Sequence, residues 1–142
     1  MELWILKDNS GVKHVARAAE DVGFSSDSIT IAQSASAARG LIQQCAAGSI
    51  APPEIAICDP HLTPGQDRLE DGFDVMEELK EMAPGCTVIV LTCRGDTKNT
   101  LGARGITRGA KDYVDMSWAY VNWYEFLKQR LELWKGVRAK TA

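Results

Sequence analysis

Apolar and polar positions along this chain follow two periods in turn. Short aliphatic runs, Leu3 to Leu6, Ile29 to Ala32, Ile55 to Cys58, Val88 to Leu91 and Tyr113 with Val114, predict strands. Between and after them, apolar residues spaced three and four apart predict helices over Val12 to Val22, Ala37 to Cys45 and Phe73 to Met82. A weaker helix is expected around Asn99 to Arg108 and a long one from Ser117 to about Val137. In the first helix Val12, Val15, Ala19 and Val22 share a face, and in the third Phe73, Met76, Leu79 and Met82 do the same. The pattern is a strand-helix unit repeated five times.

The third and fourth strands are continuous apolar runs without alternation, as burial on both faces by crossover helices requires, so the sheet is expected to be parallel. Right-handed crossovers then favour an open, doubly wound α/β sheet of strand order 2-1-3-4-5, with ligands held outside the strand C-termini. Breakers fall where loops are needed: Gly23, Gly48 to Pro53, Pro64 and Gly65, Pro84 and Gly85, Gly95 and Gly109. The last helix carries Trp118, Val121, Tyr124, Leu127, Leu131 and Trp134, a stripe longer than the sheet needs. Its second half is open to a partner or a second copy.

Composition narrows the picture. A length of 142 residues suits one domain, residues 1–142, and no run is apolar for long enough to span a membrane or act as a leader, so a cytoplasmic protein is expected. The net charge of −3 gives no electrostatic ground for nucleic-acid binding, and the basic stretch from Lys135 to Lys140 reads as a solvated helix end or linker. The cysteines, Cys45, Cys58, Cys86 and Cys93, lack metal-ligand spacing; Cys58 and Cys93 lie in or beside apolar runs and read as small hydrophobes. "GARGITRG" matches no phosphate-cradling glycine pattern.

Chemistry gathers at the strand ends. Lys7, Asp8 and Asn9 follow the first strand, Asp59 the third, Thr92 the fourth, and Asp115 with Met116 the fifth. Asp59, Thr92 followed by the small Cys93, the Asp71-Gly72 pair and the stretch Gly109-Ala110-Lys111-Asp112-Tyr113-Val114 together resemble the response-regulator receiver domain, the phosphoacceptor module of two-component signalling. The resemblance covers the whole chain and implies a CheY-like, flavodoxin-like fold. It also implies Asp59 as phosphoacceptor, Thr92 as a phosphoryl-binding hydroxyl, and Tyr113 as the aromatic that changes rotamer on activation. Mg²⁺ would be held by Asp8, Asp59 and the backbone carbonyl of His61. The implied partners are a histidine kinase or phosphotransfer protein, or a downstream protein, met through the face of helix four, strand five and helix five; a homodimer through helix five is a further option.

Three departures from the family pattern weigh against that chemistry. Counted back from Gly23 without a gap, Leu6 and Lys7 occupy the positions of the family's acidic pair; with one deletion Asp8 takes the second of them. The family lysine of strand five falls on Met116 and its following proline on Ser117, and the loop after Asp59 reaches Asp71-Gly72 about five residues late. An ammonium about 4 Å from a carboxylate attracts it by roughly 4 kcal/mol at an effective dielectric near 20, and repels a divalent cation about twice as strongly. Lys7 is therefore expected to stand in for the metal as the pocket cation, with Mg²⁺ binding and phosphorylation weak or absent.

Plainer roles exist for each residue. Asp59 suits a loop or cap acid, Asp8 a cap for the first helix with Asn9 and Ser10 as rivals, Thr92 an ordinary β-branched strand residue, and His61 a solvated loop histidine. Tyr113 suits a ring packed at the sheet edge. The expected function is a receiver-like signalling module and not an enzyme with a diffusible substrate, its activity at most self-phosphorylation and dephosphorylation of Asp59. A phosphorylation-independent pseudo-receiver is the first alternative, and a small hydrolase or transferase using Asp59 with Cys93 or His61 the second. The chain ends soon after the fifth helix, so a stand-alone regulator and a piece of a longer protein are both open.

Overall fold

A computed structural model describes residues 1–8, 11–62, 71–92, 100–118 and 121–141. Strands β1 (Leu3–Leu6), β2 (Ile29–Ala32), β3 (Ile55–Cys58), β4 (Thr87–Thr92) and β5 (Asp112–Asp115) form one parallel sheet in the order β2-β1-β3-β4-β5. Helices α1 (Val12–Asp21), α2 (Ala35–Ala46), α3 (Asp71–Met82), α4 (Thr100–Thr107) and α5 (Trp123–Thr141) alternate with the strands. The sheet, its order and the five helices are those the hydrophobic pattern predicts; a 3-10 turn, Ser26–Ser28, before β2 is additional.

Every residue of β1, β3 and β4 is buried, which is why their sequences do not alternate. Leu3, Ile5, Ile57, Ile89, Leu91 and Val114 pack under α1 and α5. Trp4, Leu6, Ala56, Cys58, Val88 and Val90 pack under α2, α3 and α4. Each buried aliphatic side chain contributes about 2 kcal/mol, so these two layers hold the strand tips rigidly. The edge strands are more open: Ile31 of β2 is 44% exposed.

Helix boundaries depart from the sequence reading where polar caps decide them. Helix α5 starts at Trp123, not Ser117, because Asn122 caps it: the Asn122 side-chain oxygen accepts from the N–H groups of Tyr124 (3.1 Å) and Glu125 (3.3 Å). Ser117 instead closes a turn on Asp115, donating to Asp115 Oδ1 from its N–H (2.8 Å) and its hydroxyl (2.6 Å). Asp8 does not cap α1. The cap position is Gly11, in the left-handed region at φ 73°, with no side-chain cap bond; the rivals Asn9 and Ser10 lie outside the described residues. The basic stretch from Lys135 is helical and docked in part. Lys135 Nζ donates to Val22 O (2.9 Å) and sits 5.2 Å over the Phe24 ring, and Arg138 donates to the Gly85 carbonyl. No helix among the described residues is long and apolar enough to cross a membrane.

One glycine decides how α3 meets the sheet. A Cβ on Gly72 would stand 1.8 Å from the Asp59 carbonyl oxygen and 2.9 Å from the Pro60 carbonyl carbon, so only glycine lets the first turn of α3 lie against the end of β3. The approach is fastened by Gly72 N–H donating to Pro60 O at 3.0 Å. Gly40, inside α2, has nothing within 4 Å of such a Cβ. We expect Gly72→Ala to lower the unfolding free energy by about 3 kcal/mol through forced displacement of backbone, and Gly40→Ala to raise it by about 1 kcal/mol through helix propensity. Urea unfolding of the two variants checks the opposite signs; equal effects would mean that the Gly72 contact is not what sets the packing.

Candidate functional site

The parallel register brings the strand ends together. Leu6 pairs with Ala32 on one side and Cys58 on the other, Cys58 with Val90, and Thr92 with Asp115. The ladder runs one step further, with Lys7 N–H donating to Ala32 O (3.0 Å), Asp59 N–H to Leu6 O (2.9 Å) and Met116 N–H to Thr92 O (2.8 Å). Lys7, Asp59, Thr92 and Met116 therefore sit side by side at the carboxyl edge of the sheet, where open α/β sheets hold their ligands.

Lys7, and not Asp8, faces Asp59. Lys7 Nζ donates to Asp59 Oδ2 at 3.1 Å and lies 3.8 Å from Asp8 Oδ1. The lysine is 0% exposed and Asp59 is 2% exposed, whereas the Asp8 side chain keeps 19% of its surface. The other Asp59 oxygen, Oδ1, accepts the His61 backbone N–H at 2.9 Å. Burial pushes the Asp59 carboxyl above the usual carboxylate range, against the attraction of Lys7 and the His61 N–H bond, which pull the other way. His61 is itself buried, 7% exposed, contrary to a solvated loop histidine, because the chain turns inward after β3 and Leu62 is fully covered.

The support around this pair comes from residues whose sequence signal is faint. Asp71, 5% exposed at the start of α3, accepts the Leu62 N–H on Oδ1 at 3.0 Å and so fixes the segment after Asp59. At Gly11 a Cβ would meet Met116 Cε at 3.2 Å and Lys7 Cε at 3.9 Å, so the left-handed turn into α1 leaves room for the lysine stem and the thioether together. Met116 thus occupies the β5 end beside Lys7: the cation comes from β1, and the β5 position is apolar. Thr92 is buried at the β4 end, 1% exposed. Tyr113 is half-buried on β5, its ring against the α2-α3-α4 side of the core. Cys93, Pro64 and Gly65 lie outside the described residues.

The groups implied for Mg²⁺ do not suit it. Hard divalent ions take carboxylate, carbonyl and water oxygens, yet the Lys7 ammonium stands within 4 Å of both the Asp59 and Asp8 carboxylates and would repel the ion. Among the described residues no cluster of three His, Cys, Asp or Glu side chains is arranged to hold a metal. Thiol chemistry is disfavoured at the buried cysteines among the described residues. Burial pushes the Cys58 thiol far above the ordinary range, with the Asp59 charge adding to it, and burial raises Cys86 to about 12. A groove of about 480 Å³ between α2 and α3, with Ile42, Met82, Glu78 and Glu81 among its walls, includes none of the strand-tip residues.

No family model matches the chain. The photosynthetic apparatus regulatory protein RegA of Rhodobacter capsulatus is 32% identical over 107 residues, and that of Cereibacter sphaeroides 33% over 107 residues. Each alignment covers 75% of this chain and 50% of the relative, so the chain spans about half the length of the curated relatives it matches. Among solved structures, the receiver domain of NtrX from Brucella abortus superposes with a TM-score of 0.69 at 20% identity, over 99% of this chain and 100% of that one. The phosphorylated cyanobacterial phytochrome response regulator RcpA gives 0.70 at 16% identity, over 96% and 94%. A CheY-like receiver domain protein from Methanospirillum hungatei gives 0.65 at 18% identity, over 96% and 97%.

A buried ion pair is costly to break and cheap to replace as a unit. Lys7→Met should therefore cost about 3 kcal/mol of unfolding free energy, by leaving the Asp59 carboxyl buried without its cation, and the double variant Lys7→Met/Asp59→Leu should recover most of the loss. Urea unfolding of the single and double variants measures the coupling. A Lys7→Met loss below about 0.5 kcal/mol, the size seen for exposed pairs, would contradict a pair sealed from water.

Proposed function

We propose that this chain, a response-regulator receiver domain in fold, is a signalling module in which the Lys7–Asp59 pair takes the place of the metal-dependent phosphoacceptor site. Receiver domains are signalling modules that work with histidine kinases or phosphotransfer proteins and with downstream domains; they are not enzymes turning over a diffusible substrate. In this reading the Lys7 ammonium neutralises the Asp59 carboxylate permanently, phosphorylation of Asp59 is slow or absent, and partner binding is constitutive. The partner meets the face built by α4, β5 and α5.

One observation carries the reading. The Lys7 ammonium lies 3.1 Å from Asp59 with both groups sealed from solvent, and the one remaining acid of β1, Asp8, stands at the rim beside the same ammonium. Phosphoryl transfer to a carboxylate depends on positioning and on cations that neutralise the equatorial oxygens. Lys7 supplies a single positive charge where a metal-bearing site would supply two. It also occupies one oxygen of the nucleophile, while the His61 N–H occupies the other. Thr92 stays, by resemblance, the candidate hydroxyl donor at the neighbouring strand end. Hydrolysis or group transfer by Asp59 with His61 gains no support, since both side chains are buried and Asp59 spends both oxygens on internal bonds.

Titration calorimetry and intact mass test this directly. The wild-type protein should show no sub-millimolar Mg²⁺ binding and take up no phosphoryl group from acetyl phosphate. Lys7→Asp, which returns a second acid to β1, should gain both Mg²⁺ binding and acetyl phosphate labelling. Labelling of the wild-type protein at Asp59, abolished by Asp59→Asn, would overturn the proposal.

A further inference from the structure

We infer that Gly102 and Trp118 hold Tyr113 as a fixed strut between α4 and α5, so that the α4-β5-α5 surface keeps one form whatever the chemical state of Asp59. The inference deepens the constitutive reading above and rests on it for its signalling consequence, but its geometry stands on other residues.

The ring of Tyr113 lies face-on against a helix backbone. Gly102 is buried in α4, and a Cβ built on it would meet Tyr113 Cδ2, Cε2 and Cδ1 at 2.6, 2.6 and 2.7 Å. Three ring atoms at nearly one distance mean that the missing Cβ points into the face of the ring, so the phenol occupies the space a side chain would take. Another side of the ring is held by Trp118, edge-to-face with centroids 5.6 Å apart and planes at 69°. Trp118 in turn stacks edge-to-face on Phe126 of α5 at 5.4 Å and 75°. Such geometries are the attractive ones for aromatic pairs. The rings form a continuous chain from α4 through β5 to α5.

Neither end of that chain is free to withdraw. Helix α4 is pressed onto the sheet at Gly105, where a Cβ would meet Val90 Cγ2 at 2.7 Å. It is clamped to α3 by Arg108, whose guanidinium bonds Asp74 (2.9 Å) and Glu77 and lies 5.2 Å over the Phe73 ring. On the other side Asp112, the residue before Tyr113, accepts from Arg130 and from Trp134 Nε1 (2.9 Å), tying the start of β5 to α5. Were the ring to swing outward, it would leave a gap over Gly102 that the glycine has no side chain to refill, and interiors do not tolerate such gaps without loss. Gly102 and Trp118 are thus positioning residues: they act on the surface through Tyr113.

Nuclear magnetic resonance of ring-labelled tyrosine tests the strut, with the Tyr113 signal assigned by its disappearance in Tyr113→Phe. In the wild-type protein we expect cross-relaxation between the Tyr113 ring and the Gly102 α protons, and a Tyr113 shift unchanged by acetyl phosphate with Mg²⁺. Gly102→Ala should move the Tyr113 shift and abolish its cross-relaxation with Trp118, while Gly40→Ala moves neither. Absence of the Tyr113–Gly102 contact in the wild type, or an unmoved ring in Gly102→Ala, would overturn the inference. So would a Tyr113 shift that changes when Asp59 is labelled, in the wild type or in Lys7→Asp. A wild-type protein that takes up phosphate while Tyr113 stays put would sink the metal-independent proposal and leave the strut standing.

Discussion

An ammonium group shut inside the carboxyl edge of a parallel sheet is tolerable only beside a carboxylate, and the contact between Lys7 and Asp59 is the interaction around which this edge is built. Neither group survives alone in such a place, since desolvation of a lone charge costs more than most single contacts return. Several otherwise unrelated features follow from that need. Gly11 turns left-handed beside the lysine stem and the Met116 side chain. Gly72 lets α3 close over the Asp59 backbone, and Asp71 stitches the segment after it by accepting the Leu62 N–H.

Relocating one charge would change what a receiver-like geometry is able to do. Receiver-type chemistry asks for acids at the end of β1 and a cation at the end of β5; here β1 ends in the cation and β5 in Met116. The charges acting on Asp59 among the described residues are Lys7 and Asp8, so one acid of the family pair is missing and the cation comes from the β1 side. A positive group on the metal side opposes the ion, while the apolar thioether on the other side offers nothing to a phosphoryl oxygen. On the proposed reading, the same four strand tips would make a closed electrostatic unit instead of an open reaction centre.

Most of the fold was legible in the hydrophobic pattern because burial on both faces leaves β1, β3 and β4 no polar positions to spare, and because crossover helices must present an apolar face to the sheet. The strand tips were legible as well, since Lys7 and Asp59 are simply the first polar residues after those runs. What pattern reading misread depends on local polar geometry. The start of α5 is decided by Asn122 and by the turn Ser117 makes on Asp115, both invisible to a stripe count that takes in Trp118 and Val121. The cap position of α1 is Gly11 and not Asp8; Gly11 has a positive φ and an added Cβ there would meet Met116 and Lys7, a three-dimensional circumstance with no one-residue signature. Gly102 and Gly105 in "GARGITRG" carry no phosphate-binding pattern, and what they do carry, close approach to Tyr113 and Val90, appears only once the partners are in place.

A switch needs two states of comparable free energy, and a ligand moves the balance only by its differential affinity for them. The two proposals above would weight both halves of such a switch one way. On the proposed reading, the Lys7–Asp59 contact would disfavour a metal-ready form of the pocket, and the packing of Tyr113 against Gly102 and Trp118 would disfavour a second position of that ring. The two locks share no residue and lie on different parts of the edge, so neither is a by-product of the other. If both act as proposed, they bias the chain toward the same single surface from two separate sets of residues.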